Sequence, residues 1–549
     1  MSDSLEVVAT GAAADAVRHH VPRLVEDGFA GRLFEQDATL WGPDAEPESK
    51  VRLSWVGLPR SSRPLVGEVA ALRSELNDAG LDHVVLCGMG GSSLAPEVIC
   101  ATYDVDLTVL DSSHPDQVRA ALGDRLDRTV VVVSSKSGST VETDSQRRAY
   151  EQAFRNAGID PATRIVVVTD PGSPLDEQSR ADGYRVVNAD PNVGGRYSAL
   201  TAFGLVPSGL AGADIETLLD EAEAVADLLG DDGEGNPGLR LGAAIAGTTP
   251  LRNKLVLVDQ GSGLAGFADW AEQLVAESTG KEGTGLLPVV VGDDSAPEVA
   301  LPPHDVTLAR LAADADGTDV DAEHDPDDTG EGSAGSEVTV SGTLGAQLLL
   351  WEVATATAGR LLGINPFDQP DVESAKKAAR SMLEGSPDTT PPAFTDGPVQ
   401  VRALGGDWLG DASTVRDAVT ALLAQVDGSQ GYVAVMAYLD RLEVADLADV
   451  RNTLAHRVRR PVTFGWGPRF LHSTGQFHKG GPPEGVYVQV TADPAEDLAV
   501  PGKEYTFGRL IAAQAAGDAS VLADHGRPVL RLHLTDLAAG TAAVREALA

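Results

Sequence analysis

Two short stretches rich in glycine and hydroxyl side chains each follow an apolar run that is typical of a buried strand. The first, GMGGSS at 88–93, comes after HVVLC, and the second, SSKSGST at 134–140, comes after TVVVV. Glycines allow a ligand to approach the backbone closely, and serine and threonine hydroxyls supply hydrogen-bond donors. At the junction between a strand and a helix N-terminus, such turns are suited to binding phosphate. The predicted ligand is therefore a phosphorylated small molecule.

Neither turn fits a nucleotide-binding motif. The first lacks the GK[ST] of a Walker A loop, and no third glycine follows at the spacing of a dinucleotide fingerprint. In the second turn, Lys136 adds a positive charge, and Thr140 or Ser139 is placed to cap the following helix. Capping and phosphate binding are compatible, so both remain open.

The elements that must position these turns alternate along the chain from about residue 61 to 215. Short, β-branched, all-apolar segments such as RIVVVTD are separated by amphipathic helical segments such as TVETDSQRRAYEQAFRNAG. This alternation predicts an α/β fold with parallel sheets that helices cover on both faces. The apolar segment at 343–364 carries Glu352 and Arg360, which favours a core helix over a membrane span.

The same pattern suggests four parts of the chain. We predict an N-terminal arm at 1–60, a first α/β domain at 61–227 and the first part of a second at 240–394. A C-terminal α/β segment at 395–549 follows, which either stands alone or completes the second domain. An acidic, glycine-rich segment near 313–335 does not fit a calcium loop and is predicted to be a solvated surface loop.

Composition excludes several classes of partner. The formal net charge of −40, from 82 acidic and 42 basic residues, argues against nucleic acid. Two cysteines cannot form a disulfide framework, and no His, Asp or Cys arrangement indicates a metal. The N-terminus lacks a basic region before an apolar one, so we expect no signal peptide and a cytoplasmic location without membrane partners.

Five segments in order along the chain resemble the glucose-6-phosphate isomerase family with its sugar isomerase domains. They are GMGGSSLAP (88–96), SSKSGSTVET (134–143), VGGRYSALTAFGL (193–205), AEQLVAESTGKEG (271–283) and INPFDQPDVESAKKAA (364–379). The chain looks most like the actinobacterial type, which is related to the isomerase half of transaldolase–isomerase fusions. The resemblance implies two flavodoxin-like three-layer α-β-α sugar isomerase domains with parallel sheets, plus the C-terminal segment.

The resemblance also implies a mechanism and its residues. Glucose 6-phosphate and fructose 6-phosphate would interconvert by proton transfer through an enediolate, without a cofactor or a metal. Glu277 matches the family's base, Arg196 the group that stabilises the enediolate, and Lys376 the active-site lysine. The implied sugar and phosphate ligands are Gly90, Ser92, Ser135, Lys136, Ser137, Thr140 and Gln369.

The chain departs from the family at the histidine that opens the sugar ring. That histidine normally lies between the Glu and Lys motifs, but here a similar local pattern, STGQFHKGG at 473–481, follows them. His478 is therefore the predicted ring-opening residue in preference to His472, with a structural role as the alternative. The family supplies this histidine across a subunit interface, so a homodimer is implied.

Two other functions remain open. One is an isomerase of the same mechanism that also accepts mannose 6-phosphate. It would differ from a glucose-specific enzyme only in the shape of the pocket around C2 of the sugar. A non-catalytic sugar-phosphate sensor would have no need of the base, so the combination of Glu277, Arg196 and Lys376 argues against it. The incomplete glycine fingerprint disfavours a nicotinamide-dependent dehydrogenase.

Overall fold

The computed structural model describes residues 5–313, 335–384 and 390–549. The first of these ranges begins with one strand and four short or medium helices. Nearly all of the acidic segment at 313–335 lies outside the described residues. The N-terminal elements are β1 (Glu6–Thr10), α1 (Gly11–Glu26), α2 (Phe29–Phe34), α3 (Glu46–Ser49) and α4 (Leu58–Ser61).

The first sheet contains five parallel strands in the order β3-β2-β4-β5-β6. Its strands are β2 (His83–Gly88), β3 (Thr108–Leu110), β4 (Thr129–Ser134), β5 (Ile165–Thr169) and β6 (Arg185–Asn188). The helices between them are α5 (Pro64–Asp78), α6 (Leu94–Thr102), α7 (Pro115–Gly123), α8 (Val141–Asn156) and α9 (Pro174–Ala181). This is the strand order of the flavodoxin fold, in which the order of the strands along the sheet reverses between β2 and β4.

Three helices, α10 (Ala202–Ala211), α11 (Ile215–Leu229) and α12 (Pro237–Ala246), lead to the second sheet. Its order is β1-β10-β9-β7-β8, and every pair is parallel except β1 with β10. The new elements are β7 (Lys254–Gln260), α13 (Phe267–Thr279), β8 (Leu287–Val291), α14 (Pro297–Ala300), β9 (Val306–Ala312), β10 (Ser336–Ser341), α15 (Leu344–Leu362) and α16 (Pro370–Glu384). The N-terminal segment thus supplies an edge strand to this sheet.

The C-terminal segment forms a third sheet, in the order β11-β12-β16-β15-β13-β14. Strands β12 and β16 are antiparallel, and β13, β14, β15 and β16 run parallel. The elements are β11 (Phe394–Asp396), β12 (Val399–Leu404), α17 (Val415–Leu423), β13 (Tyr432–Tyr438), α18 (Val450–Val458), β14 (Val462–Trp466), α19 (Gly475–Gly480), β15 (Gly485–Ala492), α20 (Phe507–Asp524), β16 (Val529–Leu534) and α21 (Leu537–Leu548).

Apolar packing joins the three sheets into one body. One continuous cluster includes Leu86 of β2, Leu257 of β7 and Trp351 of α15, and a second joins Val256 of β7 to Met436 of β13. The predicted α/β class, with parallel sheets covered by helices, is confirmed. The predicted core helix at 343–364 is also confirmed, since residues 344–359 of α15 are all buried. No helix in the described residues has both the length and the apolar character needed to cross a membrane.

Candidate active site

The topology brings the two glycine- and hydroxyl-rich turns together. Strands β2 and β4 are neighbours, and the last residue of β2, Gly88, pairs with the last residue of β4, Ser134. Both turns therefore begin side by side at the carboxyl edge of the sheet, where the strand order reverses. Ligands of doubly wound sheets bind at this switch point.

A cavity of about 390 Å³ lies at this edge, between the first sheet, the second sheet and the C-terminal segment. Nine of the eleven predicted site residues line it. They are Gly90, Ser92, Ser135, Lys136, Ser137, Thr140, Arg196, Glu277 and Gln369. The roles of these residues stay predictions, but the sequence correctly grouped residues that are far apart along the chain.

The hydroxyl groups of the second turn are arranged around its backbone. Ser135 donates to Thr140 Oγ1 (3.3 Å) and accepts from the amide of Gly138 (3.1 Å), and the hydroxyls of Ser137 and Ser139 lie 2.7 Å apart. Thr140 occupies the N-cap position of α8 but makes no side-chain capping bond. Thr140 lines the cavity at the N-terminus of α8, whose first amides have no acceptor within the helix, and this arrangement is suited to an anion.

Lys136 lines the same cavity but also holds the turn in place. Its Nζ lies 2.8 Å from Asp170 Oδ2 and donates to the carbonyl oxygen of Val193 (2.8 Å). Burial raises the pKa of Asp170 above its ordinary value, and the Lys136 ammonium opposes that rise. The lysine thus joins the second turn to the segment that precedes Arg196.

The first turn packs directly on the segment that carries Arg196. A Cβ added to Gly91 would lie 1.9 Å from the carbonyl oxygen of Gly195 and 3.0 Å from the amide nitrogen of Arg196. These are backbone atoms, so the two segments approach this closely only because residue 91 has no side chain.

We expect Gly91→Ala to lower the free energy of unfolding by about 1–3 kcal/mol, the usual range for overpacking, and to displace Arg196. Urea unfolding measures the first effect. Gly195→Ala is the matched control, because a Cβ on Gly195 meets nothing within 4 Å. Equal stability of the two variants would contradict the predicted clash.

Arg196 is buried and held on every side of its guanidinium. It donates from Nε to Ser278 Oγ (2.7 Å), from one terminal nitrogen to Gln369 Oε1 (2.8 Å), and from the other to the carbonyl oxygen of Pro366 (2.8 Å). A guanidinium fixed in this way stabilises negative charge without reorganising.

Glu277 faces Arg196 from the last turn of α13. Its Oε1 lies 3.7 Å from the Arg196 guanidinium, and its Oε2 accepts from Gln273 Nε2 (3.2 Å). The residue is only 7% exposed, yet it lines the cavity. A carboxylate in this position is placed to take a proton from a bound molecule, while the nearby guanidinium stabilises the resulting anion.

The sequence analysis did not identify Lys281, which fixes the segment at 365–368 that Arg196 also contacts. Its Nζ donates to the carbonyl oxygens of Asn365 (2.7 Å) and Asp368 (2.6 Å) and to the Asp368 carboxylate (2.7 Å). Burial lowers the pKa of Lys281 to about 8. Gln273 lies four residues before Glu277 on α13, and this spacing was the available signal for Gln273, whereas Lys281 follows the end of the helix.

The structure places the two histidines differently relative to the cavity. His478 is 2% exposed and lies behind the cavity, where its Nδ1 is 3.0 Å from the Tyr432 hydroxyl. Burial, with help from the charges of Lys479 and Arg527, lowers the pKa of His478 well below its ordinary value. His472 lines the cavity instead. The predicted Lys376 lies in α16, but its side chain is outside the described residues.

His472 is oriented by a buried carboxylate from the first domain. Its Nε2 lies 3.2 Å from Glu142 Oε1, which also accepts from Gln514 Nε2 at 2.6 Å. The main-chain carbonyl of His472 accepts from Gln273 Nε2 (2.8 Å), the same amide group that contacts Glu277. One glutamine therefore fixes the position of the carboxylate relative to the histidine.

Glu272, one residue before Gln273, is a buried carboxyl group outside the cavity lining. Burial raises its pKa to about 8, and it accepts from Ser473 Oγ (2.7 Å). Between about pH 4.5 and 8 the folded protein keeps the carboxyl proton that the unfolded chain has lost. The contribution of Glu272 to stability therefore falls as the pH rises through this range.

We expect Glu272→Gln to remove this dependence. From pH 5 to pH 8 the difference in unfolding free energy between the variant and the wild type should shift by roughly 2–4 kcal/mol in favour of the variant, since one pKa unit corresponds to about 1.4 kcal/mol. Urea unfolding at both pH values measures the difference. A variant whose stability follows the wild-type pH profile would show that Glu272 ionises normally in the folded protein.

In the described residues, no group of three or more His, Cys, Asp or Glu side chains is arranged to hold a metal ion. The two cysteines, Cys87 and Cys100, are buried and unpaired. Besides hydroxyl and amide groups, the described lining of the cavity contains four carboxyl groups, three basic side chains and one histidine: Glu142, Asp170, Glu277, Asp518, Lys136, Arg196, Arg380 and His472.

Three relatives share about 30% of their residues with this chain, and no family model matches it. A probable glucose-6-phosphate isomerase of Methanococcus maripaludis is 30% identical over 358 residues, which cover 57% of this chain and 81% of the relative. The glucose-6-phosphate isomerase of Gloeothece citriformis is 30% identical over 399 residues (63% and 74%). A probable glucose-6-phosphate isomerase of Natronomonas pharaonis is 31% identical over 341 residues (55% and 79%).

Among solved structures, a hypothetical protein of Thermus thermophilus is similar in fold. Its crystal structure superimposes with a TM-score of 0.55 at 24% identity, covering 69% of this chain and all of the other. This likeness supports the architecture.

Proposed function

The chain belongs to the glucose-6-phosphate isomerase family, and we propose that it is an aldose–ketose isomerase that interconverts glucose 6-phosphate and fructose 6-phosphate. The observation that carries this proposal is that Glu277 and Arg196, whose charged groups are 3.7 Å apart, line the same cavity. That cavity also contains the hydroxyl-rich turn that suits a phosphate. A base, an anion-stabilising group and a phosphate subsite are what this isomerisation requires.

The phosphate end of the substrate is assigned to the turn between β4 and α8. Hydroxyls of Ser135, Ser137 and Thr140 and the amides at the start of α8 supply the donors. With a formal charge of −40, the protein repels anions at long range. Local donors and the nearby Lys136 therefore have to provide the attraction.

Proton transfer is assigned to Glu277. In the aldose-to-ketose direction its carboxylate removes the proton from C2, which leaves an enediolate. A proton passes from the C2 hydroxyl to the C1 oxygen, and the Glu277 carboxyl group then returns a proton to C1 as the C2 carbonyl forms. Arg196 stabilises the negative charge of the enediolate, since its guanidinium lies 3.7 Å from the same carboxylate. Electrons and protons balance within the substrate, so no redox cofactor takes part in these steps.

Ring opening is assigned to His472. A proton passes from its imidazole to the ring oxygen as the bond between that oxygen and C1 breaks, and the C1 hydroxyl gives its own proton to water as the C1 carbonyl forms. The Glu142 carboxylate, 3.2 Å from Nε2, orients the imidazole. Glu142 is thus a positioning residue in this scheme.

A homodimer and a cytoplasmic location stay predictions. His472 lines the cavity of its own chain, so a second subunit is not needed to bring a histidine there. This differs from the arrangement that the family resemblance implied.

The direct test is an assay of purified protein with fructose 6-phosphate, in which glucose 6-phosphate formation is coupled to a dehydrogenase. We expect turnover without added metal or nucleotide. A parallel assay with mannose 6-phosphate measures selectivity at C2. Binding of fructose 6-phosphate without turnover of either substrate would exclude the isomerase and favour a sugar-phosphate sensor.

A further inference from the structure

A buried glutamine of the C-terminal segment reaches the substrate cavity and takes no part in the steps proposed above. Gln514 lies in the middle of α20, is 3% exposed and lines the cavity. Both ends of its side-chain amide are hydrogen-bonded. Its Oε1 accepts from Ser113 Oγ (2.6 Å), and its Nε2 donates to Glu142 Oε1 (2.6 Å). The side chain therefore bridges two elements of the first domain.

The partners of Gln514 set the direction of its amide. An ionised carboxylate accepts hydrogen bonds but cannot donate them, so the NH₂ group of the amide faces Glu142. The reversed amide would place two buried oxygens 2.6 Å apart without a hydrogen between them. The buried Ser113 hydroxyl completes the arrangement by donating to the other end of the amide. Gln514 thus has one favourable orientation.

The two elements that Gln514 bridges are also bonded to each other. Glu142 lies in the first turn of α8, and Gln146, one turn later, donates from Nε2 to the carbonyl oxygen of Ser112 (2.9 Å). This bond holds α8 against the loop between β3 and α7, which carries Ser113. Gln514 therefore binds to a fixed pair of elements rather than to two independent side chains.

The same carboxylate oxygen contacts the histidine to which ring opening is assigned. Glu142 Oε1 lies 3.2 Å from His472 Nε2 as well as 2.6 Å from Gln514 Nε2. Since the carboxylate accepts from both groups, Nε2 of His472 carries a hydrogen, and Nδ1 is then the nitrogen left to exchange a proton with a bound molecule. Rotation of the Glu142 carboxylate would release the imidazole from this orientation.

We propose that Gln514 is a positioning residue for the isomerase, which fixes the Glu142 carboxylate so that His472 keeps Nε2 on that carboxylate and Nδ1 available for the ring-opening proton. Gln514 acts through Glu142 and His472 rather than on the substrate. This role rests on the proposed function, because ring opening belongs to the isomerisation. The C-terminal segment then contributes both the histidine and, from a separate helix, the residue that orients it.

Other charged groups lie near the Glu142 carboxylate. Asp518, one turn further along α20, lines the same cavity, and its Oδ1 lies 2.6 Å from Lys479 Nζ of α19. Burial raises the pKa of Tyr438 in β13 well above its ordinary value, and the charges of Asp518 and Glu142 raise it further. All of these groups stay the same when position 514 is changed, so differences between variants at that position report on its own side chain.

Histidine ring signals in NMR spectra test the arrangement without relying on catalysis. In protein labelled with ¹⁵N-histidine, we expect a slowly exchanging Nε2–H signal that is absent from His472→Gln and therefore belongs to His472. Gln514→Met has a similar size but no donor for Glu142, and it should speed exchange of this hydrogen with water about tenfold, the effect of losing one hydrogen bond to a charged group. An unchanged exchange rate, or no such His472 signal in the wild type, would overturn the proposal.

Gln489→Met is the matched control. Gln489 of β15 is also a buried glutamine, and its Nε2 donates to the carbonyl oxygen of Ala515, the residue after Gln514 (2.9 Å). It lies outside the described lining of the substrate cavity. We expect this change to lower the melting temperature and to leave the His472 signal as in the wild type. Equal effects of the two variants on that signal would show that any loosening of α20 is sufficient, which contradicts a specific role of Gln514.

A double-mutant comparison with fructose 6-phosphate provides the kinetic test. Gln514→Met alone should lower kcat about tenfold while KM changes by less than about threefold, because the histidine is misplaced but the phosphate subsite is untouched. Added to His472→Gln, the same change should have no further effect on kcat, because the group on which it acts is gone. Losses that multiply in the double variant would show that Gln514 does not act through His472.

Gln514→Glu keeps the proposal testable if Gln514→Met does not fold. The new carboxyl group would lie about as close to Glu142 as the amide does now, so the two groups would share one proton at low pH and repel each other when both are ionised. The kcat of this variant relative to the wild type should fall between about pH 6 and about pH 9, and a constant ratio would overturn the proposal. If the wild type itself shows no turnover, the isomerase assignment fails, and the exchange rate of the His472 signal decides the role of Gln514.

Discussion

Replacing Glu277 with glutamine is expected to lower kcat for fructose 6-phosphate by about a thousandfold, within the usual range for removal of a general base. Glutamine has the same size, and its carbonyl oxygen can still face either Gln273 or Arg196, but it cannot accept a proton from carbon. Substrate affinity, measured by calorimetry, should change by less than about threefold because the phosphate subsite is untouched. A coupled assay measures kcat.

Glu272→Gln is the matched control for this variant. Glu272 lies on the same helix and is also a buried carboxyl group, but it does not line the cavity. We expect it to retain turnover within about threefold of the wild type. A fully active Glu277→Gln enzyme would exclude the proposed proton transfer.

The second large effect is expected for His472→Gln. Glutamine can still donate to Glu142 but cannot exchange a proton with the sugar ring oxygen, so kcat should fall by about a hundredfold. The KM should change by only a few fold, since His472 is not part of the phosphate subsite. Steady-state kinetics at several pH values separate the two parameters and show whether a titrating group has been lost.

His478→Gln distinguishes the two histidines. His478 packs against Tyr432 and lies outside the cavity lining, so this change should lower the melting temperature while the folded enzyme keeps most of its turnover. An inactive but cooperatively folded His478→Gln enzyme, together with an active His472→Gln enzyme, would return the ring-opening role to His478.

The sequence determined the first sheet and its binding edge. Runs such as TVVVV are apolar and β-branched on both faces, which only a strand covered by helices on each side accommodates. Because parallel strands end at the same edge, the turns at 88–93 and 134–140, which follow β2 and β4, lie side by side. Glu277 and Arg196 were identified because each lies in a short segment that resembles a motif of the family.

Only the tertiary structure decided which histidine reaches the cavity. His472 and His478 lie in the same polar stretch, with nothing local to rank them beyond the STGQFHKGG pattern. The choice depends on how the third sheet packs on the second, where β7 and β13 share an apolar cluster. Apolar side chains specify that a face is buried but not which partner covers it.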